Sequence, residues 1–60
     1  MNTLTDYRYT VYAISKKGVA KVDSRTSDSK SLYVIVTDLK DSKVNGYVWD
    51  SSLNKVAEFF

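Results

Sequence analysis

Leu32, Tyr33, Val34, Ile35, Val36 and Thr37 form the most apolar run in the chain, and the reading of this run decides the fold. Taken at period two, Leu32, Val34 and Val36 share one face while Tyr33 and Ile35 share the other. Apolar residues on both faces, with β-branched and aromatic types in the majority, describe a central strand over residues 32–38, one face of it covered by a second subunit.

Upstream, residues 24–31 read Ser-Arg-Thr-Ser-Asp-Ser-Lys-Ser, with no apolar residue and many side chains that bond their own backbone. Such a segment is expected to be a loop, the most mobile of the chain. Before it, residues 7–15 alternate, with Tyr7, Tyr9, Val11 and Ala13 on one face and Arg8, Thr10, Tyr12 and Ile14 on the other. This predicts a strand. Lys16, Lys17 and Gly18 then make a short connection whose glycine takes the left-handed conformation, and residues 19–24 return antiparallel.

Downstream, two turns compete. In the favoured reading residues 38–43 turn and Gly46 sits at a bulge inside a strand over 43–50; in the other, Asn45 and Gly46 are themselves a two-residue hairpin turn. At the C-terminal end Leu53, Val56, Ala57 and Phe60 have the i, i+3, i+4, i+7 spacing of a helix over 52–60. Against this, Asp50, Ser51, Ser52 and Asn54 have the grammar of a hairpin loop: an aspartate to bond the turn, serines in its corner, and an asparagine that tolerates positive φ. The strand over 55–60 is preferred. The expected fold is therefore all-β, one domain spanning 1–60, an antiparallel meander of four or five strands in the order 1-2-3-4-5, free to curl into a partial barrel.

Sixty residues hold a single small core, and neither cysteine nor histidine is present to staple it with a disulfide or a zinc ion. Stability then rests on packing or self-association. Aromatics make up 13% of the residues, which favours a homodimer. The cysteine-free composition, the lack of a charged start followed by an apolar run, and the absence of any long apolar stretch point to a cytoplasmic protein with no membrane contact.

The same inventory bears on chemistry. Without histidine or cysteine the common nucleophile and base pairs are missing, and most of the carboxylates, Asp6, Asp23, Asp28, Asp38, Asp41, Asp50 and Glu58, fall in expected turns. Residues 41–46 partly match a calcium loop, but Lys43 stands where an oxygen ligand belongs. Neither enzyme activity nor a cofactor or metal is expected. The leading expectation is a protein-binding regulator or inhibitor, an accessory protein of a phage or other mobile element acting on a host protein in the host cytoplasm, with Tyr12, Tyr33, Tyr47 and Trp49 as contacts. The alternative is a basic β module that binds nucleic acid through Arg8, Lys16, Lys17, Lys21 and Arg25, since residues 1–30 hold six basic side chains against three acidic ones, whereas 31–60 hold three against four.

Overall fold

The apolar run at 32–37 is a helix. In a computed structural model, which describes residues 7–60, α1 spans Ser29–Asp41. The decisive residue lies just beyond the run: Leu39 joins Leu32, Ile35 and Val36 at i, i+3, i+4 and i+7, a stripe one helical face wide. Val36 is buried and the other three are half-buried against Val11 and Val48. The β-branched residues of the run disfavour a helix by only a few tenths of a kcal/mol each. Packing of the stripe outweighs them, which corrects the strand expected at 32–38.

The serine-rich segment supplies the start of this helix instead of a long loop. Asp28 is the N-cap, accepting from the Ser31 backbone N–H at 3.1 Å and from the Ser31 hydroxyl at 2.9 Å. Thr26 Oγ1 accepts from the Asp28 N–H at 3.1 Å. The side chains do bond their own backbone, as their type dictates, but the result is a cap. Residues 24–26 belong to the preceding strand and 29–31 to the helix.

Four strands surround this insertion: β1 (Tyr9–Ile14), β2 (Ala20–Thr26), β3 (Asn45–Asp50) and β4 (Lys55–Phe59). They form one antiparallel sheet in the order β2-β1-β3-β4, which is open and not closed into a barrel, with a single helix added to a mostly strand architecture. The sequential order expected from the sequence is corrected for a simple reason. Both β2 and β3 run antiparallel to β1, so they are parallel to each other, and parallel strands need a crossover that α1 provides. The reading of the first six residues as carrying no leader lies outside the described residues.

The turns follow residue chemistry closely. Gly18 has φ 83° in the β1–β2 connection, where its N–H donates to the Ser15 carbonyl at 2.9 Å. Asp50 Oδ1 accepts from the backbone N–H groups of Ser52 and Leu53 at 2.9 and 3.2 Å, and Asn54 has φ 56°. A left-handed residue at 54 ends any right-handed helix, so 55–59 form the strand β4 and the helical alternative for 52–60 does not occur.

Gly46 lies inside β3 as favoured, yet at no bulge: it pairs regularly with Ala13 in the unbroken β1–β3 ladder, and the irregularity on this strand is in the β3–β4 ladder, between Val48 and Trp49. A Cβ at 46 would strike the Tyr12 carbonyl oxygen and approach the Phe60 ring at 2.7 Å. Close approach explains the glycine. The Phe60 backbone exchanges two 2.9 Å hydrogen bonds with Gly46, and its half-buried side chain packs on the core.

Candidate functional site: the uncovered face of the sheet

Alternation along the strands sorts the side chains into two faces. Val11 and Val48 pair across β1 and β3 and point to the helix, where with Val36 they make the fully buried core. Three buried valines contribute about 1.5–3 kcal/mol each. That is a small core, and all of it lies on one side.

The opposite face has no element over it among the described residues. By register it carries Thr10, Tyr12 and Ile14 from β1, Tyr47 and Trp49 from β3, Val22 and Arg25 from β2, and Val56 and Phe59 from β4. Tyr12 stacks on Tyr47 with ring centroids 4.8 Å apart and planes 22° from parallel. Phe59 continues the row, 6.0 Å from Tyr47 at 51°. Within the row the tyrosines shield one another and remain half-buried, whereas Phe59 is 75% exposed and Val22 42%. Arg25 is the one charged side chain the register places there.

Of the contacts expected from the sequence, Tyr12, Tyr47 and Trp49 come together on this face. Tyr33 does not. It stands 73% exposed on α1, across the sheet from them. Phe59 and Val22 were missed; alternation alone sets Phe59 opposite Val56, and the irregularity in the β3–β4 ladder is what brings both to this face.

The five basic residues expected to bind nucleic acid do not all gather on one surface, although Lys16 and Lys21 line one cavity. Arg8 is held by Asp50, its Nη2 3.2 Å from Oδ2, its Nε 3.3 Å from both carboxylate oxygens, and its guanidinium 5.2 Å from the centre of the Tyr9 ring. Asp50 is buried, and the Arg8 hydrogen bond together with the Ser52 and Leu53 N–H groups holds its carboxyl below the usual range against the opposing effect of desolvation. The guanidinium is raised in turn by the same partner. Ser51 closes the clamp, its N–H donating to the Arg8 carbonyl at 2.8 Å. This makes Arg8 a tie between the β3–β4 turn and the chain entering β1. Lys16 and Lys17 sit in the first hairpin turn, Lys21 pairs with Ala13 on the helix side of β2, and Arg25 lies on the other face.

Among the described residues no helix is long and apolar enough to cross a membrane, and no three acidic side chains converge to hold a metal ion. No family model, curated protein or solved structure matches the chain.

Proposed function

We propose that this protein is a small non-catalytic regulator or inhibitor that binds another protein by laying the uncovered face of its sheet on an apolar, weakly charged surface of that partner. The observation that carries the reading is the row Tyr12, Tyr47 and Phe59, flanked by Trp49 and Val22, on a face that no element covers among the described residues. Four strands about 4.8 Å apart and about 20 Å long give a flat footprint of roughly 400 Å². That matches the size of functional apolar patches and falls below the ~800 Å² per side of a standard stable interface. A reversible contact fits this area better than a permanent one. Arg25 at the margin fits a partner whose rim is neutral or acidic.

In this reading the chain is an accessory protein of a phage or other mobile element, acting in the host cytoplasm. Nucleic acid is the less favoured partner, because stacking of Tyr12 on Tyr47 occupies ring faces that bases would use, and because Arg8 is already paired.

The test is affinity capture with the wild-type chain and with Phe59→Asp, a substitution at a side chain that contributes little to the monomer. The expected result is a stoichiometric protein that wild type retains, that persists at high salt, and that Phe59→Asp loses while its circular dichroism is unchanged. Equal capture by Phe59→Asp sinks the proposal. So does sedimentation showing a dimer that Phe59→Asp dissociates, since a second copy would then occupy the face.

A further inference from the structure

At the end of the molecule where the β1–β2 hairpin turn meets the C-terminus of α1, a cavity of about 390 Å³ opens on the helix side. Its walls are apolar, with Ala13, Val19 and Val44 among them, and Val19 is 51% exposed. Three lysines line it, Lys16, Lys21 and Lys43, brought from the hairpin turn, from β2 and from the residue that ends the helix. Among the described residues no carboxylate lines it. Among the described residues the ion pairs are Arg8–Asp50 and Lys40–Glu58, and none of these three lysines takes part in one.

Lys43 carries a second peculiarity. The helix ends in a Schellman motif: the Val44 N–H donates to the Leu39 carbonyl at 2.9 Å, and the Lys43 N–H to the Lys40 carbonyl at 3.0 Å. The residue at this point must be left-handed, and Lys43 has φ 63°. Glycine is the ordinary occupant because it adopts that conformation without strain. Here a lysine takes it, on the cavity that Lys16 and Lys21 also line. Strained non-glycine residues of this kind cluster at ligand sites.

We infer that this cavity binds a short acidic segment of a protein partner, with an apolar side chain against Val19 and Val44 and its carboxylates among the three ammonium groups. The inference rests on reading the chain as a protein-binding module, but it uses a different surface from the sheet face. The apolar walls distinguish it from a phosphate site, which needs donors and not hydrocarbon. Convergence of the lysines on one cavity, in place of a track spaced along a backbone, argues against a nucleic-acid strand.

The test uses the full chain and a fluorescently labelled peptide of alternating aspartate and leucine, followed by anisotropy at low and high salt, with an asparagine–leucine peptide as control. The acidic peptide is expected to bind and the control to bind at least tenfold more weakly. Exposed charge pairs change affinity by about 1.4- to 5-fold each. Lys16→Gln, Lys21→Gln and Lys43→Gly should each weaken binding by that amount, and the triple variant by the product of the three, about 3- to 100-fold, with added salt acting in the same direction. Lys43→Gly is the sharpest arm, because it is expected to raise thermal stability while lowering affinity, the reverse of what loss of a merely structural residue does. Equal affinity for the two peptides overturns the inference. So does a triple variant that binds like wild type, or an oligonucleotide that outcompetes the peptide at equal concentration. Phe59→Asp should leave peptide binding intact, so failure of the sheet-face proposal and failure of this one are separately visible.

Discussion

Replacing Lys43 by glycine isolates the end of α1, the point at which the helix hands over to β3. Lys43 holds φ 63°, and an L-residue in the left-handed region carries a penalty of about 1–2 kcal/mol. Glycine removes this but loses about 0.5–1 kcal/mol more chain entropy on folding. The lost cation slightly weakens the interaction with the helix C-terminus and slightly relieves repulsion from Lys16 and Lys21, two exposed effects of opposite sign and similar size. The net expectation is a gain of about 0.5–1 kcal/mol. For a domain of this length each kcal/mol moves the melting temperature by about 4–8 °C, so Lys43→Gly should melt about 2–8 °C higher. Thermal unfolding followed by far-ultraviolet circular dichroism reads the shift, and urea titration should show a higher midpoint with an unchanged slope. Lys43→Ala is the control: it removes the same charge but keeps the Cβ, and should gain little. If Lys43→Gly melts at or below wild type, or if alanine raises the midpoint equally, the strain argument is wrong.

Two further expectations concern other parts of the fold. Gly46→Ala puts a methyl against the Tyr12 carbonyl and the Phe60 ring, and should lower stability by about 1–3 kcal/mol, measured as a fall in the urea midpoint; unchanged stability would mean that Gly46 does not approach Tyr12 and Phe60 as described. Asp50 and Asp28 both have folded-state pKa values below their unfolded ones, held there mainly by Arg8 and by Ser31 respectively. Their contribution is present above the unfolded carboxyl value of about 3.9 and is lost as pH falls through the lower folded values, so the melting temperature should be level near neutrality and fall below about pH 4. Asp50→Asn should be less stable at neutral pH and show a shallower acid decline, and a decline as steep as that of wild type would remove Asp50 from this account.

The sheet was legible where the signal is local. β1, β3 and β4, the left-handed Gly18 and Asn54, and the Asp50-bonded turn all follow from alternation and from side chains that bond nearby backbone. The helix was not, because two segments share one spacing. Leu32, Ile35, Val36 and Leu39 repeat the pattern of Leu53, Val56, Ala57 and Phe60, yet only the first is helical. What separates them is at their edges: Asp28 caps a thirteen-residue helix, whereas Asn54 at φ 56° breaks the second pattern near its start. Reading the first run only as far as Thr37 hides Leu39 and leaves period two as the better match.

That single misreading also governs the site. In a sequential meander Tyr12 and Tyr47 would lie on strands separated by two others, and no pattern in either strand would bring them together. Once residues 29–41 leave the sheet as a crossover, β3 falls beside β1, Tyr12 faces Tyr47, and Phe59 joins them from β4. The same crossover carries Lys43 to the hairpin that holds Lys16. Each candidate surface therefore depends on α1 more than on the strands that display it. A substitution that unmakes the helix cap at Asp28 should weaken the aromatic face and the lysine cavity together, although it touches neither.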